Sequence, residues 1–183
     1  MASKAPATAG RTSSGSGGAR HVMHRDAVDH AAAANPLRAG TRLERVPDPA
    51  IVVVFGATGD LSHRKIFPAF YNLRRAGLLP TETSIVGYSR RPYTDAAFTD
   101  EMKEAVVEHA RNEVEGALWS DFAQTIHYPQ GDFGKAEDYT RLAERLDQID
   151  AAAGCRGNRL FYLATPPSAY EDIVANLGAA GLA

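Results

Sequence analysis

The sequence predicts an α/β fold, a parallel sheet with helices on both faces, over residues 50–183. Two observations lead there. The apolar, β-branched run Ile51-Val52-Val53-Val54-Phe55 has the length of a buried strand, and it passes directly into the turn Gly56-Ala57-Thr58-Gly59-Asp60-Leu61-Ser62. From there on, strand-like runs alternate with helical periodicities. That order gives parallel strands joined by right-handed crossovers.

The elements follow in turn. Between Arg64 and Arg75, the apolar residues Ile66, Ala69, Phe70 and Leu73 are spaced as the stripe of a helix lying on a sheet. Ser84-Ile85-Val86-Gly87-Tyr88 reads as a second strand, ending in Ser89-Arg90-Arg91. Phe98, Met102, Ala105 and His109 mark a second helix. Beyond Trp119 and Phe122, Thr125-Ile126-His127-Tyr128 reads as a short third strand. Tyr139, Leu142, Ala143, Leu146 and Ile149 form a third helical stripe, closed by Gly154. Leu160-Phe161-Tyr162-Leu163-Ala164 is the fourth strand. Ser168-Ala169-Tyr170-Glu171 then has the form of a capping box, opening a helix with Ile173, Val174 and Leu177 on one face. Four strands make most of a Rossmann-like sheet, incomplete on its C-terminal side.

Residues 1–49 read differently. They hold no Phe, Tyr or Trp, and carry seven basic residues against four acidic ones, a net +3 that leaves −5 for the remainder of a chain whose total is −2. So little apolar area does not offset the entropy of ordering, and the stretch is expected to be a disordered tail. Its acid-free, Ser- and Arg-containing start also fits a transit peptide, but no amphipathic stripe is evident. An extension on a cytoplasmic enzyme is the expectation.

Composition sets the outer bounds. The chain of 183 residues is 44% hydrophobic and 23% charged, as in an ordinary globular protein. A net charge of −2 carries no overall bias toward nucleic acid or a membrane surface, and no apolar run approaches membrane-spanning length. The single Cys155 rules out an internal disulfide and any multi-cysteine metal site.

A strand, a glycine turn and a helix form the first half of a dinucleotide site. The glycines let the backbone approach a pyrophosphate, and the helix N-terminus offers free N–H groups. The spacing here is G-x-x-G-x-x-S, so the middle glycine of the usual G-x-G-x-x-G is missing and Ser62 takes the third small-residue position. No Gly-Lys-Ser/Thr follows, so the turn is not a Walker A loop. At the second strand end, NAD-binding units carry an acidic residue for the adenosine ribose, whereas NADP-binding units carry Arg for the 2′-phosphate. Arg90 and Arg91 stand there and no carboxylate follows the strand until Asp95, which favours NADP. The competing reading of these arginines is a solvated strand end.

Gly56-Ala57-Thr58-Gly59-Asp60-Leu61, Lys65-Ile66-Phe67-Pro68 and Gly77-Leu78-Leu79-Pro80 resemble the N-terminal part of the glucose-6-phosphate dehydrogenase family. The resemblance continues in order through Ile85-Val86-Gly87-Tyr88-Ser89-Arg90 and Arg159-Leu160-Phe161-Tyr162-Leu163-Ala164-Thr165-Pro166-Pro167 to Tyr170. It implies an NADP cofactor surrounded by three loops, 56–63, 89–91 and 164–170. Gly56, Ala57, Thr58, Gly59, Asp60, Leu61, Ser62 and His63 would lie at the pyrophosphate and Arg90 at the 2′-phosphate. Ala164, Pro166 and Tyr170 would lie at the nicotinamide half, and Lys65 near the cofactor and substrate. The reaction it implies is oxidation of glucose 6-phosphate at C1 to 6-phosphogluconolactone, by an enzyme that is a cytoplasmic homo-oligomer.

The family's general base is a histidine carried, with the substrate contacts, on segments beyond the residues matched here. His21, His24 and His30 lie in the tail, His109 and His127 on predicted elements and His63 in the turn, and none is placed as that base. The expectation is therefore the cofactor-binding half of a dehydrogenase, with no catalytic and no metal-ligating residue of its own and no activity alone. The alternative is an NADP-binding regulatory or interaction module.

Overall fold

Every side chain of Ile51–Phe55 is apolar, and such a strand is stable only when both of its faces are covered. In the computed structural model, which describes residues 46–183, this strand (β1) lies inside a four-stranded parallel sheet of order β3-β2-β1-β4. Strand β2 is Ser84–Tyr88, β3 is Ile126–His127 and β4 is Arg159–Leu163. β1 runs in register with both neighbours, Phe55 facing Tyr88 on one side and Leu163 on the other. Most of the predicted tail, residues 1–45, lies outside the described residues; 46–50 lead into β1 without regular structure.

Alternation along β1 divides the core in two. Val52 and Val54 face a layer made by α1 (Phe67–Arg75), α2 (Asp95–His109) and α3 (Gly116–Ala123), through Phe67, Tyr71, Phe98, Met102, Trp119 and Phe122. Ile51, Val53 and Phe55 face α4 (Ala136–Ala153) and α5 (Tyr170–Ala179), through Tyr139, Leu142, Leu146, Ile173 and Leu177. The doubly covered parallel sheet predicted from the sequence is the one observed.

Several details depart from expectation. The helix after the glycine turn opens as a π-turn, Ser62–Ile66, whose wide winding rotates the following helix. Phe67, Tyr71 and Arg74 thereby point inward, while Ala69 and Leu73 of the predicted stripe are exposed. The third strand shrinks to two paired residues, supplemented by a bridge between Ser89 and Gln130. Trp119 and Phe122 sit on a helix, α3, that the sequence reading left unassigned. No capping box forms at Ser168: a 3₁₀ turn, Pro167–Ala169, precedes α5, and the cap residue Ala169 has no side-chain acceptor. Val174 faces solvent rather than the core.

Candidate functional site

Three loops converge at the carboxyl ends of β1, β2 and β4, and the first is shaped by contacts within the protein. Gly56 has φ +78°, and a Cβ there would lie 2.5 Å from the carbonyl oxygen of Ala164. The β1 exit thus requires glycine twice over, for its left-handed backbone and for the close approach of the β4 exit. The turn then winds through Gly59 N–H to Gly56 O (2.9 Å) and Ser62 N–H to Gly59 O (3.1 Å). The fully buried Ser62 hydroxyl donates back to Gly56 O at 3.2 Å. His63 bridges the Gly59 carbonyl (2.8 Å) and the Glu101 carboxylate on α2 (2.6 Å). Ser62 and His63 therefore spend their side chains on holding the turn, a role that their place in the motif did not reveal.

Those bonds leave other donors unused. Among the described residues, no acceptor takes the N–H groups of Thr58, Asp60 or Leu61. Unpaired N–H groups at the start of a helix form an anion site, aided by the positive end of the helix dipole. The Ala57 side chain is buried beneath them, and Asp60 and Leu61 are exposed.

The second loop is fastened to the first and to β3. Thr58 Oγ1 and Ser89 Oγ share a hydrogen bond of 2.8 Å, and Gly56 N–H donates to Tyr88 O at 2.9 Å. The Tyr128 hydroxyl donates to the carbonyls of Ser89 (3.2 Å) and Arg91 (2.7 Å), and burial raises its pKa so that it remains a donor. The Arg90 side chain is exposed beside the turn, with no carboxylate partner among the described residues. Ser89, which the sequence reading passed over as a site residue, is the link between the two loops; its signal was a small polar residue directly before the arginine.

The third loop is held less firmly. Ala164 N–H donates to Phe55 O at 2.9 Å, and the buried Thr165 hydroxyl oxygen finds no partner. Pro166 is exposed, and Tyr170 stands at the start of α5 with 42% of its surface exposed, which excludes a core role for that tyrosine. Lys65 is exposed on the π-turn before α1, where it borders a groove with Arg64, Asn72 and Arg111. The structure thus gathers the 56–63, Arg90 and 164–170 positions at the carboxyl end of the sheet, and sets Lys65 apart from Arg90.

His127 sits beside Asp95 (3.7 Å) on β3, and burial lowers its pKa. Among the described residues, no group of three or more His, Cys, Asp or Glu side chains is placed to hold a metal ion, and no helix is long and apolar enough to cross a membrane.

A parallel sheet of this order, with a glycine turn that leads β1 into unpaired helix N–H groups, defines the dinucleotide-binding class of α/β protein. Residues 53–183 match the family described as "Glucose-6-phosphate dehydrogenase, NAD binding domain". The chain is 41% identical over 138 residues to "Glucose-6-phosphate 1-dehydrogenase" of Chlamydia pneumoniae, covering 75% of this chain and 27% of that one. It is 39% identical over 158 residues to "Glucose-6-phosphate 1-dehydrogenase 2" of Mycobacterium bovis, covering 84% of this chain and 31% of that one. A solved glucose-6-phosphate dehydrogenase in complex with its substrate superposes with a TM-score of 0.65 at 30% identity, over 73% of this chain and 28% of that one. The Mycobacterium avium enzyme superposes with a TM-score of 0.63 at 31% identity, over 74% and 28% respectively.

The chain belongs to the glucose-6-phosphate dehydrogenase family, as its nicotinamide-dinucleotide-binding domain. It spans under a third of the length of these relatives.

Proposed function

We propose that this chain binds NADP and forms the cofactor half of an enzyme that oxidises glucose 6-phosphate to 6-phosphogluconolactone. The observation that carries the cofactor reading is the pairing of unused N–H groups at Thr58, Asp60 and Leu61 with the unpaired guanidinium of Arg90 across the Thr58–Ser89 bond. The first set suits a pyrophosphate, and Arg90 suits a 2′-phosphate monoester. The nicotinamide supplies hydride acceptance when bound. The residues of this chain bind and orient: the turn holds the pyrophosphate, Arg90 selects the phosphorylated ribose, and Ala164, Pro166 and Tyr170 border the nicotinamide half. The base and the substrate contacts are assigned to segments that these 183 residues do not include. The complete enzyme is proposed to act as a cytoplasmic homo-oligomer.

Calorimetric titration of the chain with NADP and NAD tests the reading. Thr58→Arg, which puts bulk and charge on the turn, is expected to abolish binding of both. Arg90→Ala is expected to weaken NADP much more than NAD. Unchanged NADP affinity in Thr58→Arg would overturn the assignment of the turn, and equal losses in Arg90→Ala would remove Arg90 from the 2′-phosphate. Mixed with NADP and glucose 6-phosphate, the chain alone is expected to form no NADPH; substrate-dependent reduction would place catalytic groups within it.

A further inference from the structure

An open cleft of about 440 Å³ lies between the end of β2 and the first turns of α4. Arg90 borders it on one side and Lys135, Asp138 and Arg141 on the other, with Gln130 and Asp132 contributed by the connecting segment. The three cations are not equivalent. Asp138 takes the Asp132 N–H on Oδ2 (2.7 Å) and the Arg141 guanidinium on Oδ1 (2.5 Å). The Asp132 N–H holds the Asp138 carboxyl below the usual carboxylate range, so Asp138 stays ionised and neutralises Arg141. Asp132 in turn accepts the Gly134 N–H at 3.0 Å. Arg90 and Lys135 remain, and neither has a carboxylate partner among the described residues.

The backbone that carries them is fixed. The Arg90 carbonyl accepts from Gln130 Nε2 at 2.9 Å, and the Ser89 carbonyl accepts the Gly131 N–H at 3.0 Å. A Cβ at Gly131 would lie 2.0 Å from the Tyr88 hydroxyl, so glycine is what allows the β3 exit to lie against β2. The cleft is therefore a preorganised feature of two strand ends. Arg90 and Lys135 thus offer two unpaired cations to an anion bound in the cleft. A phosphate monoester carries about −1.5 to −2 at neutral pH, more than a single arginine neutralises.

We infer that Lys135 is a second cationic arm of the 2′-phosphate site, facing Arg90 across this cleft, and that it sets discrimination between NADP and NAD. The inference rests on the proposed role of Arg90. Lys135 precedes α4 without a side-chain capping bond, so its replacement leaves the helix start intact.

The test is titration of the full chain with NADP, NAD and 2′,5′-ADP, for the unaltered protein and for Lys135→Gln, Lys135→Arg and Arg90→Ala. Lys135→Gln is expected to weaken NADP and 2′,5′-ADP about tenfold, as for loss of one charge-assisted contact, and to leave NAD within about twofold. It should also flatten the salt dependence of NADP binding, and Lys135→Arg should restore most of the affinity. Unchanged NADP binding in Lys135→Gln, or an equal loss for NAD, overturns the inference. If Arg90→Ala loses NADP selectively while Lys135→Gln is silent, the inference alone fails. If the unaltered chain binds neither NADP nor 2′,5′-ADP, the cofactor reading fails with it.

Discussion

β1 and β4 are neighbouring parallel strands of five residues paired in register, yet they have opposite fates. No residue of β1 is more than 6% exposed, because both sheet faces are covered there. On β4, Leu160 and Tyr162 are 56% and 45% exposed, since the helices that cover Val52 and Val54 on the same sheet face do not bury its β4 side. The carboxyl ends differ in the same way. The β1 exit is tied to β2 through Thr58–Ser89 and Gly56–Tyr88, whereas the loop after β4 keeps an unpartnered hydroxyl at Thr165. An apolar strand thus becomes core only where layers meet on both sides, and a loop's polar groups are satisfied only where a neighbour receives them.

The comparison breaks most severely at its centre. Phe55 is fully buried and its ring lies 5.1 to 6.4 Å from those of Tyr88, Phe133, Tyr139 and Phe161, so Phe55→Ala is expected to cost about 3–5 kcal/mol in chemical denaturation. Gly56→Ala, forced into a left-handed backbone and against Ala164 O, should cost about 1–3 kcal/mol and weaken dinucleotide binding in the same sample. Ser89→Ala removes one hydrogen bond between the loops, and a loss of about 1 kcal/mol by denaturation is expected. Leu160→Ala, on the open side, should change stability by less than about 0.5 kcal/mol, and a core-sized loss would show that this face is covered in the isolated chain.

A further prediction concerns pH. Burial lowers the His127 pKa from its ordinary 6.5, outweighing the neighbouring Asp95 carboxylate, so the unfolded chain binds the proton more readily than the folded one. The contribution of His127 to stability is therefore full above about pH 6.5 and is lost as pH falls below it. His127→Gln should flatten the stability profile in that acid window, and a profile unchanged by the substitution would remove His127 as its source.

Much of this was legible in the chain itself. Five consecutive β-branched or aromatic residues running into G-x-x-G identify β1 and its turn without tertiary information, because no solvent-facing strand is apolar at every position. The repeated strand-then-helix order determines a parallel sheet by the handedness of its crossovers. The family match across residues 53–183 identifies a dinucleotide-binding domain.

What only the tertiary structure decided are the outcomes that depend on partners distant in sequence. The π-turn at Ser62–Ile66 rotates α1 so that Tyr71 and Arg74 replace Ala69 and Leu73 on the buried side, a phase that periodicity alone does not set. His63 became a brace of the turn because the Glu101 carboxylate comes within hydrogen-bond reach once α2 packs. Ser89 and Lys135 gained their positions because the β3 exit is pinned onto β2, joining residues some forty positions apart. Sequence carries the local propensities and patterns. Which donors are satisfied and which are left for a ligand is settled only when the layers close.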